Sequence, residues 1–350
     1  MKPGRLALLA SIAAACVLPF AADSIARPRP APPPPAPDYD TIPQVYLSPS
    51  LVQQAAAYRA YINRASSINA GFQNPAAVSV AMQTGAAYEP RQFLRGALAY
   101  AAIAALQNSE FVAAVRAQGP TLAARNALEY QILADPAFIM HFPHATEAAA
   151  LSMAALHGEG LRLYSNGQLV KQAAYDTQHQ PWANTRSTPA EAATQLASVR
   201  VLSSTPLTAD MVEADRLNRS VSGQPLGLAP DPDAHAPYTP LVARAVSLAA
   251  IAALGLAGDE RVSRLMPNLT DPEATFCLNI ARLNLYQCLA VAGPHYEDMF
   301  CLGQHVLMDT GACLIRGSGA AMPLDVRPPP LPVPAVHTTG ATTRPARRGH

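Results

Sequence analysis

Four cysteines in the last third of the chain constrain its fold more than any other feature: Cys277, Cys288, Cys301 and Cys313. They flank Gly293-Pro294, a dipeptide that ends helices. The spacing predicts one helix from Glu273 to Ala292 and a second from His295 to about Ile315, joined as an antiparallel hairpin. Cys277 and Cys288 are eleven residues apart. On a continuous helix that separates their Cα atoms by about 16 Å, whereas a disulfide needs Cα atoms within about 7 Å. The same geometry excludes Cys301 with Cys313. Register decides between the remaining pairings. Facing residues of an antiparallel pair have numbers that add to one value; 277 with 313 gives 590, and 288 with 301 gives 589. The expected pairing is therefore Cys277–Cys313 outside and Cys288–Cys301 inside. No Cys-x-x-Cys pair occurs, so a thioredoxin-like or haem-attachment motif is excluded.

An even cysteine set reads as a disulfide framework only in an oxidising space, and the start of the chain reads as a route to one. Lys2 and Arg5 precede the apolar run Leu6 to Ala15, and Ser24-Ile25-Ala26 fits a cleavage site. Residues 1–26 are expected to be a signal peptide cut after Ala26, which places the protein in a periplasm or outside the cell. The run is shorter than the roughly 20 apolar residues of a membrane span, so the mature chain is expected to lack a transmembrane helix. Ala13-Ala14-Ala15-Cys16 loosely resembles a lipoprotein box, which makes lipidation at Cys16 the rival reading. The whole chain has 25 basic and 24 acidic side chains; losing Lys2, Arg5 and Asp23 leaves 23 of each. A neutral chain has no electrostatic footprint for nucleic acid.

Proline organises the rest. Residues 27–44 read as a Pro-rich linker, carrying Pro32 to Pro35, and residues 321–350 as a Pro-rich tail, carrying Pro328-Pro329-Pro330; both compositions favour extended spacers over a packed core. Between them, Ser48-Pro49, Asn74-Pro75, Thr188-Pro189 and Thr239-Pro240 each set a capping residue before a proline suited to the first helical position. Thr188 to Glu191 is also a capping box. Alanine fills the interiors, and no sustained strand alternation appears. The fold class read from this pattern is all-α.

The string Ala-Ala-Ile-Ala-Ala-Leu occurs at 101–106 and again at 249–254. Matches around it keep one order: Tyr88 with Tyr238, Arg116 with Arg264, Tyr130-Gln131 with Tyr286-Gln287, and Pro143-His144 with Pro294-His295. Beyond these, an ungapped register pairs Gly160 with Gly311. The reading is a tandem duplication, with residues 45–180 and 181–320 as two packed helical halves and a ligand seam between them.

Chemistry is sparse. The nucleophile elbow, the phosphate-binding loop and the His-Glu-x-x-His signature are missing, and Lys171 is the one lysine beyond the leader. The duplication supplies the candidate site. His144 with Glu147, and His295 with Asp298, each put an acid three residues after a histidine at a helix start. Four such groups converging at the seam could ligate a metal or exchange a proton; singly, each acid would serve the positive end of its helix dipole. Asp298, His305 and Asp309 around a reduced Cys301 form a second, zinc-type grouping. Trp182 reads as a plug at the edge of the core, and Tyr130 and Tyr286 as core residues. The functional reading is an exported binding or scaffold protein of the cell envelope rather than an enzyme. It needs no cofactor and takes an unidentified envelope protein or small molecule as partner. The alternative is a metal-assisted hydrolase built on His144, Glu147, His295 and Asp298.

Overall fold

The structure, a computed structural model, describes residues 44–324, and these are all-helical with no strand. The expected signal segment with Ala26 and Cys16, the first Pro-rich segment up to residue 43, and the tail from residue 325 lie outside the described residues.

The cap-proline pairs all start helices, because each supplies an acceptor for an unpaired amide and a ring already set to helical φ. Ser48, Asn74, Thr188 and Thr239 accept from the first turns of α1 (Pro49–Ser66), α2 (Pro75–Ala86), α8 (Pro189–Leu202) and α10 (Pro240–Ala253), and Thr188 and Glu191 close the capping box. The device is used more widely than those four sites: Glu89 caps α3 (Pro90–Ala105), and Asp271 caps α12 (Pro272–Val291). Short helices α4 (Ser109–Gln118) and α5 (Leu122–Ala134) follow α3, capped by Asn108 and Thr121.

The core forms around the two apolar helices. Every residue of α3 from Ala97 to Ala105 is buried, and so is every residue of α10 from Ala245 to Ala253. They pack on each other and on the spine of the molecule, the 33-residue α6 (Ala145–Thr177). Among the described residues no single helix is long and apolar enough to cross a membrane. On the far side of α3, an aromatic cluster of Tyr58, Tyr61, Tyr88 and Phe93 ties α1 to α3, with ring centroids 5.0–5.5 Å apart.

The second half continues through α7 (Pro181–Asn184), α9 (Met211–Val221), α11 (Asp259–Leu269), α13 (His295–Cys301), a π-helical segment Leu302–Met308 and α14 (Asp309–Ser318). α14 runs antiparallel to α6 at very short range. A Cβ on Gly160 would stand 2.9 Å from the Gly311 carbonyl oxygen, and one on Gly311 would stand 2.6 Å from that of Gly160. Two helix backbones touch here, and only glycine on both sides lets them.

The hairpin of α12 with α13–α14 carries two disulfides. Cys277 bonds to Cys313 with Cα atoms 5.8 Å apart, and Cys288 to Cys301 at 5.7 Å. This is the nested pairing that the register implies.

Candidate functional site

The two His/acid pairs form locally but stay apart. His144, at the start of α6, takes a left-handed conformation with φ 61°. Its Nδ1 lies 3.3 Å from the carboxylate of Glu110 and 3.9 Å from that of Glu147, and all three side chains are exposed. A hydrogen bond from the Thr146 hydroxyl holds the Glu147 carboxyl below its usual range. His295 opens α13 with Nδ1 3.5 Å from Asp298, and this pair is largely buried. Burial pushes the Asp298 carboxyl up, against the pull of His295 and Gln195.

The length of α6 separates the pairs. Its last residue, Thr177, places its hydroxyl 3.8 Å from the sulfur of Met299, four residues beyond His295. His144 stands at the other end of those 33 residues, so the length of α6, roughly 50 Å at 1.5 Å per residue, lies between the two pairs. The expected convergence of His144, Glu147, His295 and Asp298 at a seam does not occur. An antiparallel crossing of α6 and α14 sends the starts of the two helical runs to opposite ends of the molecule.

The zinc-type grouping also separates. Cys301 is bonded to Cys288, Asp298 faces His295, and His305 Nδ1 contacts Asp309 at 2.8 Å. Among the described residues no cluster of three or more His, Cys, Asp or Glu side chains is arranged to hold a metal ion.

What the packing does build is a groove of about 470 Å³ between α12, α14 and the start of α10. That volume suits a small organic molecule or a few side chains. The Cys277–Cys313 disulfide and Leu241 lie along it, and Phe276, Ile280 and Ala281 of α12 supply an apolar wall. Phe276 is 68 % exposed and Ile280 38 %. The spacing of Phe276, Ile280 and the exposed Leu283 is that of one helical face.

Polar groups stand at both ends. At one, Asp309 accepts from Gln304 at 2.9 Å and pairs with His305. Burial works against its ionisation, but the hydrogen bonds from His305 and Gln304 outweigh burial and hold the carboxyl below its usual range. Both donors sit on the π-helical segment, a wide turn that is rare and recurs at functional sites. At the other end, Asp271 is tied to Arg244 at 2.6 Å, beside Glu273 and the exposed Arg316. The arrangement is an apolar wall with charged groups at both ends.

Trp182 packs against the edge of the core and donates from its indole to Gln180 at 2.6 Å. Tyr286 is half-buried, with its hydroxyl on Ser203 and Arg200 over its ring at 5.5 Å. Tyr130 departs from expectation: it is 76 % exposed, because α5 turns that face outward.

Comparison with family models, with curated proteins and with solved structures returns no match for this chain.

Proposed function

We propose that the protein is an exported, non-enzymatic binding protein whose α12–α14 groove receives the apolar part of an amphipathic ligand. One observation carries the reading: a cavity of about 470 Å³ is walled by Phe276 and Ile280, side chains that a protein without a partner buries more fully. Export to a periplasm or the cell exterior is supported by the two disulfides, since reducing compartments keep such thiols apart.

The body is, on this reading, a duplicated one, with residues 45–180 and 181–320 as its halves. Helix starts support it: α3 and α10, α4 and α11, α5 and α12, and α6 and α13 begin 150 residues apart, at 90 and 240, 109 and 259, 122 and 272, and 145 and 295. Contacts between equivalent parts support it further. α3 packs on α10, and Gly160 and Gly311 meet reciprocally, as residues do on a two-fold axis.

The test is binding of a dansyl-labelled single-chain amphiphile to the intact protein, followed by fluorescence. The expected result is saturable one-site binding that Ile280→Lys abolishes while circular dichroism stays unchanged. Binding that survives Ile280→Lys would place the ligand elsewhere. The separation of His144 and Glu147 from His295 and Asp298 supports the binding reading over the metal-assisted hydrolase.

A further inference from the structure

We propose that Cys277–Cys313 is a thiol–disulfide exchange site, open to a dithiol partner through the groove, while Cys288–Cys301 is a fixed structural bond. The proposal does not depend on which ligand the groove takes.

The two rungs of the hairpin differ in what surrounds their sulfurs. Cys277 and Cys313 both line the groove, with Cys277 half-buried on α12. Arg316, one turn after Cys313 on α14, is exposed and places a guanidinium nitrogen 3.9 Å from the Cys277 sulfur. Two acids of the groove are engaged, Asp309 by Gln304 and His305 and Asp271 by Arg244, while Glu273, one turn before Cys277, is exposed at the rim. The inner rung has neither feature. Neither of its cysteines lines the groove; burial is alike in the two rungs, with Cys288 half-buried as Cys277 is, and Cys301 buried as Cys313 is.

A cation beside a sulfur matters because the thiolate is both the attacking and the departing species in exchange. An incoming thiolate of a dithiol is drawn by Arg316 to the sulfur of Cys277 in the groove. It bonds there, the 277–313 bond breaks, and Cys313 leaves with the electron pair and takes a proton from solvent. The second thiolate of the reductant then attacks its own sulfur in the mixed disulfide. Cys277 departs as a thiolate beside Arg316 and is protonated in turn. The dithiol ends as a disulfide, two electrons having passed to the protein, and its two protons are balanced by those on Cys277 and Cys313. The inner rung still holds the hairpin, so the cut loosens only the end where α12 begins and α14 finishes, which is the end that forms the groove.

The experiment exposes the folded full chain to dithiothreitol at pH 8, quenches with an alkylating agent over time and maps the four cysteines by mass spectrometry. Cys277 and Cys313 are expected to be labelled together, at least about tenfold faster than Cys288 and Cys301, with helical circular dichroism retained. Arg316→Gln should slow the outer cleavage by about threefold or more and leave the inner rate unchanged, because it removes the charge that gathers the thiolate. Labelling of Cys288 and Cys301 first, or of all four in step with loss of helix, would overturn the assignment. An Arg316→Gln protein cleaved at the parent rate would do the same.

Discussion

Helices α5 and α12 begin 150 residues apart and are fixed to the body by opposite means. α12 is held covalently, by two disulfides to the helical run that follows it. α5 has no cysteine, and after Asp135 the chain leaves it through a 3₁₀ turn, Pro136–His141, on which it packs together with α11. Its anchor is ionic: Glu129, 4 % exposed, accepts from Arg261 at 2.6 Å and from Arg264. A disulfide restricts the unfolded chain and is indifferent to salt. A buried carboxylate must instead recover its desolvation cost from its partners, and part of that recovery is exposed to screening. One helix is stabilised through the denatured state and the other through the native state.

The largest effect should come from the covalent side. The outer bond closes 36 residues and the inner bond 13; chain-entropy reasoning gives about 4 and about 3 kcal/mol of stabilisation. Cys277→Ser with Cys313→Ser is expected to lower stability in urea more than Cys288→Ser with Cys301→Ser. Equal losses would mean that strain or residual structure, rather than loop length, sets the contribution. The ionic side comes next. Glu129→Gln should cost about 2 kcal/mol, below the usual figure for a broken buried pair because Arg264 is 57 % exposed. Repeating the urea titration in 1 M sodium chloride should shrink that loss while leaving the disulfide losses unchanged. If salt moves both alike, the contrast between the two anchors fails.

How much of this was readable beforehand follows from the range of each interaction. The caps were legible because a side chain and an amide three residues on decide them. The disulfide pairing was legible because a hairpin of two helices has one register, and Gly293-Pro294 marked where it turned. The separation of His144 from His295 was not, because it depends on the direction in which α6 and α14 cross, and nothing local encodes that. The groove was hidden for the same reason: its walls come from α12 and α14, but Leu241 of α10 reaches it from some thirty residues upstream. The π-helical segment Leu302–Met308 carries no composition that distinguishes it from the α-turns on either side. Glu110, which sits beside His144, left no signal at all, being 34 residues away on another helix.

The crossing of α6 and α14 sharpens the comparison of the two halves at a smaller scale. Gly160→Ala and Gly311→Ala each push a methyl group into the opposite backbone and should each cost about 2 kcal/mol, the usual range for overpacking. If the two halves are related by a two-fold axis at this point, the two losses should agree closely. Gly158→Ala is the control: nothing lies within 4 Å of its added carbon, and it should gain about 0.5–1 kcal/mol through helix propensity. A loss at Gly158 comparable to that at Gly160 would assign the effect to α6 itself rather than to its contact.

The smallest effects distinguish the two aspartates of the second half, and their signs are opposite. The Asp309 carboxyl lies below its usual range, because its hydrogen bonds from His305 and Gln304 outweigh the opposing effect of burial. Its contribution is therefore present above the ordinary carboxylate range and is lost as pH falls through its own lowered value. The Asp298 carboxyl is raised by burial. Its contribution is present below the ordinary range and is lost as pH rises through the raised value, so at neutral pH the ionised group is a burden that His295 only partly relieves. Asp309→Asn should thus be less stable than the parent at pH 7, a gap that closes towards pH 3. Asp298→Asn should match or slightly exceed the parent at pH 7 and lose that advantage in acid, for the neutral amide keeps the shape of the side chain without the charge. Urea midpoints at pH 7, 5 and 3.5 read both. If Asp298→Asn instead loses stability at pH 7, the ion pair with His295 outweighs burial, and the pair at the start of α13 is held together by charge.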